Sequence, residues 1–195
     1  MRKIILQEWI SLEGYVADKD DQLTFFTSIS NEANKYSDLD QVKFMDNIDT
    51  ILLGRITYEM FVDFWPTADS EKEPIAQSLN RTPKLVFSNT LNEANWGKWE
   101  NAKVVNGDAV EEIAKLKALP GKNMVIWGSV TLAQSLMKCG LIDEYHLQLC
   151  PVALGGGRPL FPAGDGYINL ELIDLKKYDT GIVLLKYKPR SPFLL

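Results

Sequence analysis

Two short segments have the composition of anion-binding loops. Gly54-Arg55-Ile56-Thr57 follows an apolar run and opens a helical pattern, and Trp127-Gly128-Ser129-Val130-Thr131 repeats the arrangement. A helix start offers free backbone N–H groups and the positive end of the helix dipole, which suits phosphate. Gly54 lets the backbone approach closely, and Arg55 can make a bidentate, charge-assisted contact. A plain glycine turn with a surface arginine would carry the same residues, and Ser129 could instead cap the second helix. Two such starts in one sheet point to a nucleotide more strongly than either does alone. A third polar strand end, Phe87-Ser88-Asn89-Thr90, could hold a ribose or its phosphate, or simply turn the chain.

Proton chemistry has fewer candidates. Glu13, in Ser11-Leu12-Glu13-Gly14, could donate a proton or anchor a substrate; an exposed turn carboxylate is the plainer reading. The single histidine, His146, sits in a strand-like run, which suits core better than a catalytic triad. Cys139 and Cys150 read as two reduced, buried thiols, and no Cys/His cluster suits zinc, so no metal site is expected. Asp18, Asp20 and Asp21 read as a solvated loop. Gly155-Gly156-Gly157-Arg158 is a flexible loop with one cation that leads into strands, not a helix, so it is no dinucleotide fingerprint. Phe61, Phe64 and Trp65 read as core or an apolar interface.

These residues need a scaffold, and the apolar pattern describes one. Strands are expected at Ile4–Ile10, Asp49–Leu53, Lys84–Phe87, Val104–Val105 and Met124–Trp127. Apolar residues at Ala33, Tyr36, Leu39, Val42, Met45 and Ile48 predict a helix face. Further helices are expected at Thr57–Phe64, after an Asp108 cap, and at Thr131–Lys138. The Asp108 helix should turn Val110, Ile113, Leu116 and Leu119 inward. After Gly140, Glu144–Cys150 alternates, and Leu170–Lys176 and Ile182–Lys188 form a hairpin around Tyr178-Asp179-Thr180-Gly181. The pattern is α/β: a mixed sheet between helices, ending in antiparallel strands.

The chain has 195 residues, and its 21 basic and 26 acidic side chains give a net charge of −5. One domain, 1–195, is expected at this length. Without a basic block, nucleic acid is not expected as a partner. No apolar run reaches the roughly 20 residues of a membrane span, and Glu8 and Glu13 break the first run, so no signal peptide or membrane association is expected.

The order of Ser11-Leu12-Glu13-Gly14-Tyr15-Val16-Ala17, Leu52-Leu53-Gly54-Arg55-Ile56-Thr57-Tyr58-Glu59, Lys84-Leu85-Val86-Phe87-Ser88, Trp127-Gly128-Ser129, and Leu141-Ile142-Asp143-Glu144-Tyr145 through Pro151-Val152-Ala153-Leu154-Gly155-Gly156-Gly157 to Leu160-Phe161 carries a resemblance. It resembles the dihydrofolate-reductase-like superfamily, and within it the RibD C-terminal (riboflavin biosynthesis reductase) domain in a stand-alone bacterial form. The resemblance implies a three-layer fold with a central mixed sheet, helices on both faces and a C-terminal antiparallel hairpin. It implies extended NADPH, with NADH not excluded, and hydride transfer to a small heterocyclic or imine-like substrate. Gly54, Arg55 and Thr57 would meet phosphates on the adenine side, with Ser88 and Asn89 near the adenosine ribose. Gly128, Ser129, Val130 and Thr131 would wrap the pyrophosphate, and Val16 and Ala17 would border the nicotinamide. A cytoplasmic homodimer acting on a small molecule is implied.

The chain departs from the family pattern at several positions. Glu13 stands where Asp is frequent, Asn89 where a basic residue is frequent, and Trp9 where a small residue is common. The riboflavin reductases' Asp-x-Pro-x-Leu-Thr-x-Arg run is missing; Tyr58-Glu59-Met60-Phe61-Val62-Asp63-Phe64-Trp65 stands there. True dihydrofolate reductases carry a pterin-binding carboxylate in the first long helix, for which Glu32, Asp38 and Asp40 are the candidates. A non-catalytic ligand-binding or dimeric interaction module on the same fold is the alternative, and oxidation of a bound cofactor would distinguish the two.

Overall fold

A computed structural model describes residues 1–23, 25, 31–164 and 167–190, with residues 31–37 described by backbone alone. Ala33 and Tyr36 of the helix pattern, and the Glu32 side chain, therefore lie outside the description. Among the described residues the main sheet has eight strands in the order β5-β4-β3-β6-β1-β7-β10-β9. These are β1 (Ile4–Ile10), β3 (Ile48–Gly54), β4 (Lys84–Phe87), β5 (Ala102–Val105), β6 (Asn123–Trp127), β7 (Glu144–Leu149), β9 (Leu170–Lys177) and β10 (Val183–Pro189). β1 runs parallel to β6 and β7, and β3 parallel to β4 and β6. β10 is antiparallel to both β7 and β9, which makes the sheet mixed.

The central strands are apolar because both of their faces are covered. On one face Ile4, Leu6, Ile10, Met124 and Ile126 pack with Ile113 of α4 (Ala109–Ala118) and with Ala133 and Leu136 of α5 (Val130–Lys138). On the other, Ile5, Ile51, Leu53 and Val125 pack with Met45 of α1 (Asn31–Met45), Tyr58 of α2 (Arg55–Val62) and Leu79 of α3 (Ala76–Arg81). A third cluster joins Cys150, Tyr178, Ile182 and Leu184, with Trp9 packed against it.

Asp108 caps α4 as expected, accepting from the Val110 and Glu111 N–H groups. Three expectations need correction. Leu119 does not point inward; it is 54% exposed, because the helix ends at Ala118 and the chain turns extended there. Cys139 is exposed just after α5, whereas Cys150 is buried and its thiol is pushed up to about 12 by burial. The first long helix stops at Met45, and Ile48 already belongs to β3. Two short strands were not foreseen: β2 (Tyr15–Ala17) and β8 (Arg158–Pro159) pair antiparallel as a separate ribbon. Gly157 makes that pairing possible, since a Cβ there would lie 2.1 Å from the Ala17 carbonyl oxygen.

Candidate functional site

α2 and α5 begin at neighbouring strand ends but leave on opposite faces of the sheet. The chain passes from β3 into α2 on the α1 face, and from β6 into α5 on the α4 face. In an open α/β sheet such a reversal opens a crevice beyond the carboxyl ends of the strands. The two helix starts are tied together there. The Ser129 N–H donates to Thr57 Oγ1 at 2.8 Å, and the Gly54 N–H donates to Ser129 Oγ at 2.8 Å. Ser129 Oγ in turn donates to the Trp127 carbonyl at 3.1 Å. The Ser129 hydroxyl therefore does not cap α5; it bridges two strand ends, and α5 has no side-chain cap at that position.

The backbone at this turn is specialised. Gly128 and Ser129 both have positive φ, +55° and +54°. A Cβ on Gly128 would lie 2.8 Å from Thr57 Cγ2, so the close approach requires glycine. The Ser129 hydroxyl is spent on the Trp127 carbonyl, so the donors that can meet an anion here are the Thr57 hydroxyl, backbone N–H groups of the helix starts and two arginines. Arg55 lies on the first turn of α2 and donates to both carboxylate oxygens of Glu59, at 2.9 and 2.8 Å. Both partners are nearly half exposed, so this pair is weak, about 0.3–0.5 kcal/mol. Arg158, a loop cation by sequence, donates to Thr131 Oγ1 at 3.1 Å, bringing a second guanidinium to the start of α5. Chain distance hid it, since Arg158 comes 27 residues after Thr131.

Val16 and Ala17 are buried in β2, and Val16 packs in the same core as Val130. Ser88 and Asn89 lie at the end of β4. Ser88 Oγ accepts from the Thr90 and Leu91 N–H groups, and Asn89 Oδ1 accepts from Gly107 N–H at 2.7 Å. Ser88 thus serves the turn after β4, and Asn89 ties the end of β4 to the loop between β5 and α4.

Glu13 is committed elsewhere. Its carboxylate accepts from Gly155 N–H at 2.9 Å, Leu154 N–H at 3.2 Å and Ser11 Oγ at 2.8 Å. The Gly155 amide, then the Ser11 hydroxyl, hold it down at about 2. Such a group is ionised at neutral pH and has no proton to give. In this structure Glu13 is a latch on the glycine loop, tied to Leu154, Gly155 and Ser11.

On the α1 face, Gln7 and Gln41 exchange amide hydrogen bonds at 2.8 and 2.6 Å, and Trp127 Nε1 donates to Gln7 Oε1 at 2.6 Å. Asp38 precedes Gln41 by one turn of α1; burial and then the Glu73 charge push it up to about 6. Asp40 instead clasps Lys176 and Tyr178 of the β9–β10 hairpin. His146 bonds Glu144 at 2.9 Å and packs on Phe44, a core residue. Phe61 and Trp65 pack against the α1-side core, whereas Phe64 is half exposed.

Glu8 is a further candidate that no sequence motif singles out. It lies in the central strand β1, 7% exposed, and its Oε1 has no hydrogen-bond partner among the described residues. Burial pushes its carboxyl up to about 8, against the opposing pull of the Gly128 N–H. The signal was present as a carboxylate inside a run otherwise able to be buried on both sides.

Comparison with known proteins agrees with this architecture. The profile described as the RibD C-terminal domain matches residues 2–184. The chain is 32% identical over 189 residues to the uncharacterized protein YyaP of Bacillus subtilis (strain 168), covering 95% of this chain and 94% of that one. A solved structure named "Putative riboflavin biosynthesis protein", from Shewanella sp. PV-4, superposes with a TM-score of 0.76 at 27% identity, over 97% of this chain and 99% of that one. Dihydrofolate reductase from Enterococcus faecalis, solved with NADP(H), shares the fold with a TM-score of 0.57 at 14% identity, over 97% of each chain.

Proposed function

The chain belongs to the RibD C-terminal domain family, and from that premise we propose that it is an NADPH-dependent reductase of a small heterocyclic or imine-like substrate. The observation that carries this reading is the clasp joining the starts of α2 and α5 at the crevice, with Arg55 and Arg158 beside it. One observation that fits a dinucleotide here is Glu8 Oε1, a buried polar atom without a hydrogen-bond partner among the described residues. The sheet order β4-β3-β6-β1 supports a linear order of subsites on this reading. Ser88 and Asn89 stand at β4 for the adenosine ribose, Arg55 at β3 for its phosphate, and the α5 start at β6 for the pyrophosphate. Three strand spacings, about 14 Å, separate β4 from β1, so the bound molecule must be extended.

Reduced nicotinamide, when bound, would supply a hydride to an electrophilic carbon of the substrate, with the accompanying proton from water. The chain's own work is to bind and orient. On this reading Gln7, Gln41 and the partly buried Asp38, on the α1 face, would read a heterocycle's edge, the two glutamines exchanging their mutual bonds for it. Titration with NADPH and with NADH, followed by nicotinamide fluorescence, tests the reading. Micromolar binding that favours NADPH is expected; binding of neither overturns it.

The homodimer implied by the family resemblance is part of this proposal. β9 is an edge strand that exposes Leu172, Ile173 and Leu175. Such edges are usually blunted or covered, and a two-fold pair with a second copy is the simplest cover. Sedimentation should give twice the chain mass, and Leu175→Lys should lower it.

A further inference from the structure

Glu8 stands where the central strands part. β1 keeps register with β6 only as far as Gln7 opposite Trp127, but with β7 it continues to Ile10 opposite Leu149. From Glu8 onward, one edge of β1 is therefore released, and β6 turns away through Gly128 and Ser129. Strand alternation puts Glu8 on the face of Leu6 and Ile10, the side covered by α5. The side chain is buried, yet Oε1 has no partner among the described residues, whereas native proteins satisfy nearly all such atoms. A fold that needed only packing here would carry an aliphatic residue, as it does at Leu6 and Ile10.

We propose that Glu8, as a neutral carboxyl, pairs with the carboxamide of the nicotinamide ring, its O–H donating to the amide carbonyl and its carbonyl oxygen accepting an amide N–H. This rests on the reading of the crevice as a nicotinamide-nucleotide site. If the pyrophosphate lies at the start of α5, the next moiety toward β1 reaches the gap beside Gly128, and the Gly128 N–H already faces the Glu8 carboxyl. A carboxyl and a primary amide are complementary, each offering one donor and one acceptor in a closed ring. The neutral form is the one that burial favours: no charged side chain stands among the causes that act on Glu8, only burial and the Gly128 N–H. Pairing would fix the rotation of the carboxamide and so the ring face turned to the substrate.

The test uses binding, not turnover. Three probes are titrated against the intact protein: NADPH, its 3-acetylpyridine analogue, which keeps the acceptor and lacks the N–H donor, and 2′,5′-ADP, which lacks the ring. Wild type should prefer NADPH to the analogue by on the order of tenfold. Glu8→Leu should lose that preference and weaken NADPH by on the order of tenfold, with 2′,5′-ADP unchanged. Glu8→Gln, which offers the same donor and acceptor, should restore tight NADPH binding. Equal wild-type affinity for NADPH and the analogue overturns the pairing without any variant. So does a Glu8→Leu protein that binds NADPH normally, or one that loses 2′,5′-ADP equally. Wild type that binds neither NADPH nor 2′,5′-ADP overturns the nucleotide reading itself, and the pairing with it.

Discussion

Thr57 and Ser129 hold two helix starts in one rigid unit: the Ser129 N–H donates to Thr57 Oγ1 at 2.8 Å, across 72 residues of chain. The donor is buried, so removing the acceptor leaves it unsatisfied. Such a loss costs about 1–3 kcal/mol. Thr57→Val, which keeps the shape, should lower stability by that amount in denaturant titration and weaken NADPH. Thr57→Ser, which keeps the oxygen, should retain most of both. A fully stable Thr57→Val protein would show that the clasp does not matter.

Gly128 is the other half of that junction. Its φ of +55° and the 2.8 Å from a built Cβ to Thr57 Cγ2 both oppose a side chain. The left-handed backbone alone costs a non-glycine residue about 1–2 kcal/mol. Gly128→Ala should therefore destabilise by at least that much. Paired with Thr57→Ser, which deletes Cγ2, part of the cost should return, so the two changes should be non-additive. Strict additivity in a double-mutant cycle would mean that the methyl contact is not the source of the cost.

Much of the scaffold is legible in the residues themselves. β1, β3, β4 and β6 are apolar runs because both faces are covered, and Asp108 announces a helix by its own side chain. What is not legible depends on distant partners. β2 and β8 are too short to carry a pattern, and they exist because Gly157 lets the Ala17 backbone approach. Ser129 has the local signature of a helix cap, but Gly54 N–H, far away in sequence, takes its oxygen. Glu13 looks like a free turn carboxylate until the Gly155 loop folds onto it.

Arg55 faces a choice between Glu59 and a ligand phosphate. The exposed pair with Glu59 is worth about 0.3–0.5 kcal/mol, whereas a charge-assisted bond to phosphate contributes about 1.5–3 kcal/mol. On the proposed reading, a bound phosphate would displace Glu59. Arg55→Ala should raise the Kd for NADPH roughly 10- to 100-fold by that arithmetic and move NADH much less if the contact is the 2′-phosphate. Glu59→Gln, which frees the guanidinium, should leave NADPH binding unchanged or tighter. Unchanged NADPH affinity in Arg55→Ala would remove Arg55 from the site.

Glu13 gives a prediction of the opposite sign to Glu8. Its folded pKa, about 2, lies below the ordinary 4.5, so its contribution is present above about 4.5 and lost as pH falls toward 2. Protection of the Gly155 amide from hydrogen exchange should fall in that acid window in wild type. In Glu13→Gln the protection should already be lower at neutral pH and change less with acid. At neutral pH this variant should still transfer hydride, since the ionised carboxylate holds no proton to relay. A loss of the hydride step with the loop intact would return Glu13 to the chemistry.

For Glu8 the folded carboxyl is raised to about 8 from an ordinary 4.5. Between those values the folded protein holds a proton that the unfolded chain has released. Stability is therefore greatest, with respect to this group, below about pH 4.5, and it falls as pH rises through about 8. A glutamine there has no proton to lose. Melting temperatures measured across this range should decline more steeply in wild type than in Glu8→Gln, and the two curves should run parallel above it. Parallel curves throughout would mean that Glu8 ionises in the folded state as freely as in water, which its burial opposes.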